Sequence, residues 1–204
     1  MFTGLIEDRG RVSGFSGGRL TVETRLSESC TPGDSMAVDG SCLTVTRSKA
    51  GEVVFHCSSE TVSSTLVSGY HSGSEVNLET PLCLDGLLHG HLVTGHVDQA
   101  ASILKVQRSG EGMTVWVSYS RKYSRLLVQK GSVAVSGISL TVASLSSDRF
   151  SVALIPETLQ RTTAGGWKPG TRVNLEFDIV GKYLQRQLEA AAGETGLREY
   201  IEQG

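Results

Sequence analysis

The sequence is poor in proline, in aromatic residues and in surplus charge. Four prolines and 6% aromatics accompany 19 basic and 21 acidic side chains in 204 residues, a formal net charge of −2. Without a basic excess to neutralise phosphates, nucleic acid is not expected as a partner. Apolar runs are a few residues long, far short of the roughly 20 that a bilayer-spanning helix needs, so no membrane contact is expected. The first residues, MFTGLIED, lack both a basic segment and a long apolar one, and no signal peptide is expected. Cys30, Cys42, Cys57 and Cys83 are scattered without CxxC spacing and read as reduced thiols of a cytoplasmic protein. A phosphate-cradling glycine loop is lacking too.

Glycine, by contrast, is abundant: 24 residues point to many tight turns between short strands. The dominant feature is internal repetition. Residues 36–45 (MAVDGSCLTV) match 133–142 (VAVSGISLTV), and 76–79 match 173–176 without a mismatch (VNLE), both at a shift of 97. The same shift carries Glu60-Thr61 onto Glu157-Thr158, whereas Thr3-Gly4 falls on Thr94-Gly95 at a shift of 91. A longer turn around Arg108, Gly110 and Gly112 in the second copy accounts for the difference. The expected organisation is a first domain over 1–91, a second over 92–178 and a helical tail over 179–204.

Within the copies, 19–24, 41–46, 53–57 and 76–79, and then 113–119, 140–142, 150–155 and 173–177, are Val- and Thr-rich and mostly alternating. Too few residues separate them for helical crossovers. The expected fold is all-β: two small closed antiparallel barrels of six strands, which leave no exposed edge. In the tail, Ile179, Val180, Tyr183, Leu184 and Leu188 form one helical stripe, and Leu197, Tyr200 and Ile201 suggest a second short helix.

The junction 88–98 (LHGHLVTGHVD) holds three of five histidines. In an extended chain His89 and His91 share a face, but His96 has the opposite parity and no third ligand lies nearby, which argues against a metal. Two of these histidines read equally well as hydrogen-bonded residues at the join. The copies differ at small polar or titratable positions: Cys42 against Ser139, Asp39 against Ser136, His96 against Leu5. That pattern suits two similar sites with different duties; drift in a duplicated structural domain would give it as well.

Taken together, MFTG at the start, GSCLTV at 40–45, GHLVTGHVD at 90–98, GISLTV at 137–142 and IPETLQRTT at 155–163 resemble the riboflavin synthase family, in its order and over nearly the whole chain. The resemblance implies two Greek-key barrels, a homotrimer held partly by C-terminal helices, and dismutation of two 6,7-dimethyl-8-ribityllumazine molecules. One gives a four-carbon unit to the other, yielding riboflavin and 5-amino-6-ribitylamino-uracil without cofactor or metal, at a site between barrels of neighbouring subunits. It also makes lumazine synthase a candidate partner. The steps are loss of a proton from the C7 methyl of one lumazine and nucleophilic addition at C7 of the other.

By the same resemblance, His96, Cys42, Ser139 and Phe2 are the expected catalytic residues, His96 carrying protons and Phe2 stacking on or walling the site. The first pocket is expected to use Gly4, Leu5, Ile6, Cys42, Leu43, Thr44, His56, Cys57, Ser58, Ser59, Glu60 and Thr61, with Gly95, His96 and Val97 from the junction. The second is expected to use Ser139, Leu140, Thr141, Ala153, Leu154, Ile155, Pro156, Glu157 and Thr158, with Asp178 nearby and Lys130 from a neighbouring subunit. Two departures stand out: Ser136 replaces the family's usual Asp, and 60–65 (ETVSST) is looser than the usual Glu-Thr-Leu-x-x-Thr. The rival reading is a lumazine- or flavin-binding relative without activity, like the bioluminescence antenna proteins.

Overall fold

The computed structural model describes residues 1–193. The expected second short helix around Leu197 to Ile201 lies outside them. The first copy contains β1 (Asp8–Ser16), β2 (Arg19–Glu23), β3 (Ser35–Val38), β4 (Ser41–Lys49), β5 (Glu52–His56), a one-turn helix α1 (Ser59–Ser64) and β6 (Glu75–Glu79). The second repeats the series as β7 (Gln99–Ser109), β8 (Gly112–Ser118), β9 (Ser132–Val135), β10 (Ile138–Leu145), β11 (Arg149–Leu154), α2 (Pro156–Arg161) and β12 (Arg172–Phe177). A longer helix, α3 (Ile179–Gly193), follows.

Each copy closes into an antiparallel six-stranded barrel, in the order β1-β2-β5-β4-β3-β6 and, equivalently, β7-β8-β11-β10-β9-β12. β6 returns beside β3, the first strand of the β3-β4-β5 meander, which is Greek-key connectivity. The bulges recur as well: the register slips between Val12 and Gly14 and between Val45 and Arg47, and at the matching places Ile103/Lys105 and Val142/Ser144. A bulge bends its strand and adds twist, which helps so short a sheet to close. The extra residues of the second copy lengthen the β7–β8 hairpin, as the glycines there suggested.

Alternation decides which side chains fill the barrels. On β4, Leu43 and Val45 point inward and leave Cys42 and Thr44 outside; on β10, Leu140 and Val142 do the same for Ser139 and Thr141. The barrels have separate cores, one built on Leu20, Met36, Phe55 and Leu78, the other on Ile103, Phe150, Leu175 and Phe177.

Between them runs a third apolar cluster of Phe2, Ala37, Val93 and Ala134. The turns Asp39-Gly40 and Ser136-Gly137 meet back to back, and a Cβ on Gly40 would lie 2.7 Å from the Gly137 nitrogen. Reciprocal amides tie these turns: Asn77 Nδ2 donates to the Ser136 carbonyl at 2.9 Å, and Asn174 Nδ2 donates to the Asp39 carbonyl at 3.0 Å. The barrels are thus related by an approximate internal two-fold that the repeat encodes residue by residue.

Candidate active site

Each barrel begins with a short arm that leaves it and lies on the other. Phe2 and Val93 exchange backbone hydrogen bonds of 2.7 and 3.0 Å, so the two arms run antiparallel side by side. Beyond this bridge they diverge. The Gly95 carbonyl accepts from the Cys42 N–H in the first barrel, and the Gly4 carbonyl accepts from the Ser139 N–H in the second, each at 2.9 Å. Only glycine fits these contacts: Gly95 has φ +83° and a Cβ there would sit 2.5 Å from the Cys42 Cβ, with the same clash between Gly4 and Ser139.

This crossing corrects the expected grouping. Gly95, His96 and Val97 do border the first pocket. Gly4, Leu5 and Ile6 belong to the second barrel instead, with Gly4 against Ser139 and Ile6 packed on that barrel's core. The pairing of arms is long-range, and sequence order alone could not assign it.

The first pocket is a cleft of about 270 Å³ lined by Ser41, Cys42, Glu60, Thr61, Ser64, Thr65, Gly95, His96 and Val97. Ser58 caps α1 through the Thr61 N–H at 3.1 Å and so sets the helix that presents Glu60 and Thr61. Thr44 and His56 pair across β4 and β5 on the same outer surface. Ser59 is exposed beside the cap. Leu43 and Cys57 point into the barrel, so only their main-chain groups are left for a ligand. Burial pushes the Cys57 thiol up to about 11, which makes it inert. Ser64 and Thr65 belong to the 60–65 motif but were not among the expected site residues; the helix turns them towards the same cleft.

Beside Ser139 on the second barrel stands a histidine that was not among the expected site residues. His91 is buried, and its Nδ1 lies 2.7 Å from the Ser139 Oγ. Desolvation holds the imidazole below its ordinary 6.5, opposed by the carboxylates of Asp178 and Glu176. A neutral imidazole bonded to a hydroxyl is a base–hydroxyl pair. Gly90 makes room for it, since a Cβ there would fall 2.0 Å from the Thr3 carbonyl oxygen. Asp178 caps α3 through the Val180 N–H at 2.9 Å, so one carboxylate faces both the helix and the histidine. Thr141, Ala153 and Ile155 are exposed; Pro156 opens α2, Thr158 is half-buried, and Glu157 pairs with Arg161. Leu140 and Leu154 point into the core. Lys130 is exposed, with φ +67° at the turn before β9.

Phe2 does not stack on an open site. It is fully buried between the barrels, where it backs Cys42 together with Ala37 and Val93. The junction histidines also separate, His91 to Ser139 of the second barrel and His96 to the cleft of the first, with His89 exposed. Among the described residues no three His, Cys, Asp or Glu side chains converge as metal ligands.

Two closed barrels, each completed by the other's arm, define a protein with tandem small-molecule sites. A family model described as the lumazine binding domain matches residues 3–81 and again 94–178. Riboflavin synthase of Mycobacterium tuberculosis is 39% identical over 200 residues, covering 94% of this chain and all of that protein. That of Photobacterium phosphoreum is 35% identical over 196 residues, covering 92% and 89%. The fold is also that of LumP in complex with riboflavin, with a TM-score of 0.80 and 23% identity over 87% of this chain and 99% of that one. The chain belongs to the riboflavin synthase family and carries the lumazine-binding domain twice.

Proposed function

We propose that the chain is a transferase that dismutates two molecules of 6,7-dimethyl-8-ribityllumazine into riboflavin and 5-amino-6-ribitylamino-uracil. The observation that carries this reading is the pair of crossed arms landing on barrel faces of unequal chemistry: Ser139 with His91 on one, Cys42 with His96 in the cleft of the other. Two molecules of one compound must be held alike and treated differently. A duplicated fold supplies the likeness, and the exchanged arms supply the difference.

Because the two lumazines together contain all the atoms of both products, the exchange needs no external oxidant or reductant. The neutral His91 takes a proton through Ser139, so the second pocket is where a C7 methyl is deprotonated, and the resulting carbanion attacks the other lumazine. His96 and Cys42, beside the first pocket, serve the acceptor by returning protons. The serine, threonine and glutamate groups of the clefts suit a ribityl chain. Bringing the reactants into register contributes up to ~7–11 kcal/mol.

The productive site joins the first barrel of one subunit to the second barrel of another, with Lys130 reaching across, in a cytoplasmic homotrimer. The functional units are then the barrels over 1–91 and 92–178 and a trimerising tail from 179, with lumazine synthase as a candidate supplier of substrate. The exposed stripe of Val180, Tyr183, Leu184 and Leu188 supports the role of the tail. No helix among the described residues is long and apolar enough to cross a membrane.

Mixing the protein with the lumazine is expected to give riboflavin absorbance, undiminished by excess chelator. Tight fluorescent binding without turnover would favour the antenna-type reading.

A further inference from the structure

We infer that Glu176 is the positioning residue for His96, acting across the boundary between the barrels. The inference rests on the functional reading only in assigning His96 to the chemistry; the geometry stands by itself. Glu176 sits on β12 in the second barrel and is 3% exposed. Its Oε1 accepts from the Thr94 N–H and the Thr94 hydroxyl, both at 2.7 Å, and its Oε2 accepts from the Gly95 N–H at 3.0 Å. One carboxylate therefore fixes both residues of the turn that immediately precedes His96. The Gly95 carbonyl, on the same turn, takes the Cys42 N–H of the first barrel. Glu176 thus sets where the arm lands and in which direction His96 leaves it.

The internal two-fold provides the control. Glu79 holds the first arm in the same way, with its Oε1 accepting from the Thr3 N–H at 2.6 Å and the Thr3 hydroxyl at 2.8 Å, and its Oε2 from the Gly4 N–H at 3.0 Å. That arm delivers Leu5, which cannot carry a proton, to the second barrel. The two glutamates therefore have the same structural duty, and only Glu176 has a titratable side chain at the end of its arm. A carboxylate is needed because it only accepts; an amide presents its NH₂ to one of these donors.

The experiment compares Glu176→Gln with Glu79→Gln in full-length protein, with His side chains ¹³C-labelled and His96 assigned through His96→Gln. In Glu176→Gln the His96 Cε1–H resonance moves, and kcat falls about 10- to 100-fold with KM within about twofold, as for a misplaced catalytic group. In Glu79→Gln the His96 resonance keeps its place. Thr94→Val, which removes one bond of three, shifts His96 the same way by less, and it serves if Glu176→Gln does not fold. The inference is overturned if His96 is unmoved in Glu176→Gln or Thr94→Val, or if Glu79→Gln moves it equally. A protein that shifts as expected but makes no riboflavin keeps the positioning and refutes the functional reading.

Discussion

The histidine at 91 illustrates how little the type of a residue says about its task. In the sequence it is one of three junction histidines, and its partner Ser139 is 48 positions away. Only the fold reveals that it is buried, neutral and bonded to a hydroxyl, whereas His96, five residues on, is exposed at the other barrel. Because burial lowers the His91 pKa, its neutral form persists below the ordinary imidazole range. The acid limb of kcat is accordingly expected below pH 6.5 in wild type. His91→Gln should lower kcat about 10²–10⁴-fold, the usual worth of a general base, with lumazine affinity retained. Unchanged turnover would remove His91 from the chemistry.

Asp39 is a second residue whose role lies outside the sequence. Desolvation between the barrels pushes its carboxyl up to about 6, against the Asn77 N–H and Tyr70 hydroxyl that both donate to it. The second copy has Ser136 and Trp167 at the matching positions, so carboxylate and phenol vary as a pair. Since the folded pKa lies above the unfolded 3.8, the native state binds the proton more tightly. Asp39 therefore costs stability above pH 6, by about 3 kcal/mol at full ionisation, and the cost fades as pH falls from about 6 towards 4. Denaturant unfolding of Asp39→Asn should show higher stability than wild type at pH 8 and no such gain on acidification. Parallel pH dependence in the two proteins would contradict this.

Among the elements, legibility followed regularity. β4, β10, β6 and β12 were readable because Val and Leu alternate cleanly with polar residues and both copies repeat them. β1 was not located: its two glycines and its bulge break the alternation. β3 and β9 are four residues each, three of them apolar in a row, with no period to detect. α1 and α2 are single turns fixed by a cap or a proline rather than by an apolar stripe. The arms were invisible as arms, because an exchange between barrels leaves no local signal; Thr-Gly in both copies was the only trace. α3 was legible from its stripe. It is anchored by the ion pair of Lys182 with Asp98 at 2.7 Å, and it borders a groove with Leu126 and Val128. Truncation after Asp178 should leave folded barrels that sediment as a smaller species with little activity. An active trimer from the truncated chain would refute the role of the tail.

At the scale of the whole molecule, duplication does more than add a second site. Two identical barrels would bind two lumazines identically and give neither a reason to become donor. Exchanging the arms means that each barrel's outer face is bordered by the other copy's arm, so a substitution in one arm changes the surroundings of the other copy's barrel. Inequality can then accumulate at Cys42 against Ser139 and at His96 against Leu5 while the shared framework keeps the reactants alike. The most direct test of this account is a product balance. Purified protein incubated with 6,7-dimethyl-8-ribityllumazine alone, in excess chelator, should consume two lumazines for each riboflavin formed, with one 5-amino-6-ribitylamino-uracil released. Lumazine that is bound but recovered intact, or riboflavin formed without the pyrimidine in equal amount, would contradict it.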